Sequence, residues 1–319
     1  MGTHLITGGA GFIGCNLAKA LLRLGRRVLI LDDLSRGRRG DVERLRQNGR
    51  LTFVQADCSR IDDLERAAAG CDDIAAVWHL AANSDIPAGV VDPRVDLERT
   101  FLTTFAVLEF MRRRGTAELN FASSSAIYGD HGATAIHEDI GPLQPISNYG
   151  AMKLASEAQI RAAVEAWLTR ANVFRFPNVV GTPATHGVMY DFCSKLKANP
   201  DRLDVLGDGS QKKAYLHVED LIEAMLHIVS LRGEAFQVFN IGPEDNGVTV
   251  GFIAETIRDI VNEQAKIIFG TESRGWVGDV PRFRYATDRL RATGWRPRLT
   301  SEQAVRRAAA EIVAQELGR

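Results

Sequence analysis

The run T-G-G-A-G-F-I-G at residues 7–14 constrains this chain more than any other segment. It follows a short apolar stretch and opens into an amphipathic one, as a strand-to-helix turn does. Gly8 permits the tight turn, Gly11 removes the Cβ that would keep backbone away from a phosphate, and Gly14 lets the helix lie close to the strand. Phe12 and Ile13 stand in the first helical turn, where free N–H groups and the positive end of the helix dipole seat a pyrophosphate. A second apolar run, residues 27–31, ends at Asp32 and Asp33, near the roughly 20-residue offset at which an acidic group meets an adenosine ribose. A carboxylate at Asp32 accepts from ribose hydroxyls and repels a 2′-phosphate, which points to NAD. Arg36, Arg38 and Arg39 keep NADP open, since a guanidinium cluster just beyond the strand is able to hold that phosphate.

Strand-like segments at residues 4–7, 27–31, 51–55, 75–80, 118–122 and 171–176 alternate with helical patterns. Such alternation predicts an α/β fold of the Rossmann type, a doubly wound parallel sheet with helices on both faces. After Phe176 the pattern breaks into shorter pieces punctuated by Pro177, Gly181, Pro183, Gly187, Pro200, Gly207 and Gly209. The expected division is therefore a dinucleotide-binding domain over 1–176 and a smaller C-terminal α/β substrate domain mainly over 177–319. A helix at 218–231 and a strand at 236–241 are expected to return to the first domain. The last helix, 301–317, is expected to start on a serine cap at Ser301.

Formal net charge is −1 over 319 residues, which gives no footprint for nucleic acid or an anionic membrane. No charged-plus-apolar leader or membrane-length apolar run is visible, so a cytoplasmic protein is expected. Cys15, Cys58, Cys71 and Cys193 lack C-x-x-C spacing and fall mostly in apolar segments, as reduced, buried thiols do; no structural metal is expected.

Residues 149–153 read Y-G-A-M-K. With Ser147 or Asn148 capping a helix after Pro145, Tyr149 and Lys153 lie on one face, their polar ends free to converge on one ligand. A phenolate base at neutral pH needs its pKa lowered by roughly 3 units, or about 4 kcal/mol. A lysine ammonium about 5 Å away contributes on the order of 3 kcal/mol at an effective dielectric of 20, and a nicotinamide cation contributes similarly. Upstream, F-A-S-S-S-A-I-Y-G at 121–129 ends a short apolar strand in three serines. These hydroxyls fall at the carboxyl edge of the sheet, where open α/β sheets bind ligands. A serine there is placed to hydrogen-bond the oxygen that exchanges a proton with Tyr149.

Taken in order, these motifs resemble the extended short-chain dehydrogenases/reductases of the nucleotide-sugar epimerase and dehydratase group. The resemblance covers essentially the whole chain and rests also on L-D-D-L-S-R-G at 31–37, H-L-A-A-N at 79–83, R-F-P-N-V-V-G at 175–181 and G-D-G-S-Q at 207–211. It implies Ser124, Tyr149 and Lys153 as catalytic residues, with Ser125 the neighbour that could exchange roles with Ser124. It implies Asp57, beside Cys58, at the adenine; Leu80, Ala81 and Ala82 lining the cofactor through backbone; and Asn178 on the substrate diphosphate. Ser84 and Ser125 are further substrate candidates. The chain departs from the pattern at Thr100, where the family often has asparagine, at Thr103, often glycine, and at Lys213–Ala214, often arginine-aspartate. An ammonium at Lys213 replaces a bidentate fork by a point charge, so Arg282 and Arg284 are candidates to share the grip on the pyrophosphate.

The same resemblance narrows the reaction. Dehydratases of the group carry an Asp-Glu pair directly after the catalytic hydroxyl, and the sugar decarboxylases keep a glutamate in that motif; here the positions are Ser125 and Ala126. One base without a second acid suits oxidation and re-reduction at one carbon, an NAD-dependent 4-epimerisation of a nucleotide sugar, with a UDP-hexose or UDP-hexuronate as the default. A nucleotide-sugar 4-ketoreductase and a catalytically silent cofactor-binding protein are the alternatives. Apolar faces at Leu97, Phe101, Leu102, Phe105 and Leu108, and at Ala155, Ile160, Val164 and Trp167, are expected to pair two copies through a four-helix bundle.

Overall fold

A computed structural model of the chain describes residues 2–46, 49–132, 134–272 and 284–318. Its centre is a seven-stranded sheet of β1 (Thr3–Thr7), β2 (Arg27–Asp32), β3 (Leu51–Gln55), β4 (Ile74–His79), β5 (Glu118–Ala122), β6 (Arg170–Arg175) and β7 (Phe236–Asn240). The order is β7-β6-β5-β4-β1-β2-β3, and β1 to β6 pair in parallel. The inner strands are buried on both faces, and β2 shows the pattern this allows, a continuous apolar run from Val28 to Leu31 with no alternation. Leu5, Leu29, Leu31, Val77, Leu119, Phe121 and Val173 join Phe110, Met111 and Ile160 from flanking helices in one core. The doubly wound α/β architecture expected from the alternation is the one found.

The chain winds outward from β1 in both directions, through β2 to β3 and through β4 to β7. Between β1 and β4 the winding reverses, and beyond the carboxyl ends of such strands an open α/β sheet leaves a crevice for ligand. The residues there are Thr7 to Gly8 after β1 and His79 to Ala82 after β4. After β4 the backbone runs through two short helices, Ile86–Val91 and Pro93–Asp96, a π-helical turn, Leu97–Phe101, and the helix Leu102–Arg114, which Gly115 ends at φ 65°.

Two compact units divide the chain. One comprises Met1–Gly129, Pro142–Phe176 and Met225–Phe239; the other comprises Asp130–Gly141, Pro177–Ala224 and Asn240–Arg319. The second is built on paired short strands, Asn178–Val180 with Tyr215–His217 and Arg202–Val205 with Lys266–Phe269. Helices Val188–Ala198, Val250–Val261 and Ser301–Leu317 pack around them through Phe192, Leu196, Ile253, Ile257, Ala308 and Ile312. The cap of the last helix differs from the expected one. Thr300 is the N-cap and forms a capping box with Gln303, while the Ser301 hydroxyl is buried and accepts the Tyr215 N–H at 3.1 Å. A hydroxyl at either position satisfies the start signal, and a tertiary donor claimed the second. No helix among the described residues is long and apolar enough to cross a membrane.

Candidate active site

Gly8 turns the chain out of β1 with φ 69°, a left-handed conformation that favours glycine. A Cβ on Gly14 would strike the Gly8 carbonyl oxygen and lie 2.6 Å from the Gly9 Cα, so the helix Phe12–Arg23 reaches this close to the loop only because position 14 has no side chain. That helix starts at Gly11 with no side chain capping its first N–H groups. Those uncapped donors, at the dipole's positive end, fit the pyrophosphate of a dinucleotide. A Cβ on Gly8 would come within 2.7 Å of the Ala81 nitrogen, and the Leu80 N–H donates to the Thr7 carbonyl at 3.1 Å, so 80–82 lie directly against the glycine loop.

Asp32 closes the other side. It is 6 % exposed; one carboxylate oxygen accepts from Ala10 N–H at 3.0 Å and the other from Leu34 N–H at 2.8 Å. Burial raises its pKa, and these donors oppose the rise. Asp32 thus braces the glycine loop, and each oxygen keeps lone-pair capacity for a ribose hydroxyl. Asp33 is exposed and accepts from Ser35 N–H. Arg36 pairs with Asp85 at 2.5 Å, and Arg39 donates to Gln55 and lies over the Phe53 ring, so both have partners within the protein. Asp57 accepts from the Ser59 backbone and hydroxyl. Cys58 beside it is buried in the core, where burial pushes its thiol pKa up; all four cysteines are free.

The structure distinguishes the three serines. Ser123 is buried and donates to Glu157. Ser124 is half-buried, caps the 3-10 turn Ser125–Ile127 by accepting the Ala126 N–H at 3.1 Å, and hydrogen-bonds Tyr149. The Ser125 N–H is tied to the Phe176 carbonyl. Tyr149 and Lys153 lie on successive turns of Asn148–Ala166, a helix capped by Ser147, whose hydroxyl oxygen accepts the Gly150 N–H. Gly150 lies against the carbonyl of Ala126, so the glycine of Y-G-A-M-K is what lets this helix touch the serine turn. Lys153 is 2 % exposed; its ammonium donates to the Ala122 carbonyl at 2.6 Å and lies 4.6 Å from the Phe121 ring centre and 5.9 Å from that of Tyr149.

Sequence spacing accounts for the pairing of Tyr149 with Lys153 but carries no desolvation. Burial pushes the Tyr149 phenol up to about 12 against the Ser124 hydrogen bond, with the Asp96 charge adding to the rise. Burial also brings the Lys153 ammonium down to about 7, and Glu157 opposes that fall. Asp96 is a residue the sequence reading missed. Fully buried at the start of the π turn, it accepts from the Asn83 amide at 2.8 Å and packs its other oxygen against Gly89; the Asn83 N–H donates to Thr100. Thr100, where asparagine was the commoner expectation, thus anchors the end of H-L-A-A-N.

Ser84 is exposed in the loop after Asn83. Asn178, exposed, and Lys213, half-buried on the strand Lys212–Lys213, belong to the second unit. Arg282 lies outside the described residues, and only the backbone of Arg284 is described, paired with Ala135.

The sequence profile of the NAD-dependent epimerase/dehydratase family matches residues 4–242. The chain belongs to that family. NAD is the family's cofactor, and the glycine loop, Asp32 and the 80–82 backbone fit it. A UDP-glucose 4-epimerase of Azospirillum brasilense is 30 % identical over 315 residues, covering 92 % of this chain and 87 % of the relative. Among solved structures, a UDP-galactose 4-epimerase superposes with a TM-score of 0.86 at 35 % identity, covering 99 % of both chains. The Thermus thermophilus UDP-glucose 4-epimerase, solved with NAD, gives 0.84 at 28 % identity over 97 % of this chain and 98 % of that one.

Proposed function

We propose that this family member is a nucleotide-sugar 4-epimerase acting on a UDP-hexose or UDP-hexuronate. The observation that carries this reading is the grouping of Ser124, Tyr149 and Lys153 at the end of β5, followed at Ser125 and Ala126 by residues that cannot serve as a second acid. The 4-epimerase names of the relatives support the same reaction. Bound NAD would supply a hydride acceptor and donor for the oxidation and re-reduction at C4, and in its oxidised form a positive charge that would favour the phenolate. Tyr149 Oη takes the C4 hydroxyl proton as the carbon is oxidised and gives it back as the carbon is reduced. Ser124 holds the C4 oxygen in line with Tyr149. Lys153 holds the nicotinamide ribose and, while charged, favours the phenolate. Asp57, Cys58, Phe12 and Ile13 complete the cofactor contacts, and Ser84, Ser125, Asn178, Lys213 and Arg282 are assigned to the substrate.

An enzyme that regenerates its own cofactor needs none added. Purified protein incubated with a panel of nucleotide sugars and no added cofactor is expected to give the C4 epimer of one of them by NMR, and denaturing the protein is expected to release NAD. Release of NADP, or turnover only with an added reductant, would favour a 4-ketoreductase instead.

The protein is further proposed to pair through the helices of 97–114 and 148–166. Leu97 (42 %), Leu102 (37 %) and Phe105 (52 %) are exposed, whereas Leu108 and Ile160, expected on the same faces, lie in the core. Light scattering is expected to give a dimer at micromolar concentration, and Phe105→Glu to give a monomer; a monomeric wild type would remove the assignment.

A further inference from the structure

One turn beyond Lys153, on the same stripe of the helix Asn148–Ala166, stands Glu157, buried inside the first unit. Its carboxylate is fully engaged. Arg175, at the end of β6, reaches both oxygens, Nε to Oε1 at 3.0 Å and Nη2 to Oε2 at 2.6 Å, and the Ser123 hydroxyl donates to Oε1. The same guanidinium donates from Nη1 to the Tyr128 hydroxyl at 2.9 Å. Burying an ion pair of this kind is costly in desolvation, and apolar side chains often fill such a site with equal or better stability. Its position suggests what it does. Phe121, Ala122 and Ser123 are consecutive; the first two meet the Lys153 ammonium and the third meets Glu157, so one strand end fixes the lysine and the carboxylate side by side.

We propose that Glu157 is a positioning residue: clasped by Arg175 and Ser123, it keeps the Lys153 ammonium charged, and through it lets Tyr149 release its proton. Burial alone drives Lys153 toward neutrality, and Glu157 is the charge that opposes this. Other titratable groups face the pair. His79 from β4 is kept neutral by burial, at about 3, between Thr7 and Thr104. Asp96 opposes the phenolate. Glu98 and Arg99 of the π turn are exposed, and Glu109 is paired with Arg112 and Arg113. None of these supplies the negative charge that Lys153 needs.

The chemical role rests on the epimerase reading, but the electrostatic one can be measured without turnover. In the NAD-loaded protein, tyrosinate absorbance titrated against Tyr149→Phe reports the Tyr149 ionisation. Glu157→Gln is expected to move that ionisation to higher pH by about half a unit or more, and to move the acid limb of kcat the same way. Glu157→Asp, which keeps the charge, is expected to stay near wild type. Because Glu157→Gln strands a buried guanidinium and is liable to misfold, Glu157→Gln/Arg175→Met is titrated as well and is expected to show the same upward shift. An unmoved Tyr149 in either Gln-containing variant, or an Asp variant displaced as far as the Gln variant, would overturn the proposal. A shifted titration in a protein that epimerises no sugar would leave Glu157 in this role and remove the epimerase reading.

Discussion

Tyr149→Phe is expected to lower kcat at least about 100-fold, the lower end of what a positioned proton carrier contributes. The substitution removes one oxygen and leaves the ring that lies beside Lys153. Ser124 keeps its bond to the Ala126 N–H, and the helix keeps its Ser147 cap, so folding and NAD content are expected to stay near wild type. The loss should therefore fall on kcat rather than on substrate binding. Steady-state kinetics on the NAD-loaded variant decide the matter: turnover near that of wild type would show that another group carries the C4 proton.

The sheet was legible because short segments rich in apolar residues alternate with helical patterns, and because parallel strands buried on both faces, β2 above all, need no apolar-polar alternation. The glycine loop was legible for a sharper reason. At Gly8 and Gly14 the backbone conformation or the clearance admits no side chain, so the local sequence states the local geometry. Tyr149 and Lys153 follow from helical spacing alone. The cap of the last helix was misplaced by one residue, since Ser301 looks like a cap in sequence but its hydroxyl is taken by Tyr215 across the fold.

What sequence could not give is the set of contacts between distant segments. Glu157 and Arg175 are 18 positions apart, and Asn83 and Asp96 are 13; no period or motif joins either pair, and only the folded sheet brings them together. The electrostatics were missed for a related reason. Spacing predicts that Lys153 should ease the ionisation of Tyr149, yet burial moves the phenol up and the ammonium down; the Ser124 hydrogen bond opposes the first and the Glu157 charge the second, and neither residue is in Y-G-A-M-K. H-L-A-A-N was visible as a motif, but its role in anchoring the π turn through Thr100 and Asp96 was not.

The fate of the hydrogen at C4 tests the central claim most directly. In a closed cycle the hydrogen removed from a sugar is returned to that same sugar, so it exchanges neither with solvent nor with added cofactor. A UDP-hexose deuterated at C4, incubated with the NAD-loaded protein and no added donor, is predicted to yield C4 epimer that keeps its deuterium. A product whose C4 hydrogen comes from added deuterated NADH or NADPH, with no turnover when that donor is left out, would contradict the account and make the protein a ketoreductase.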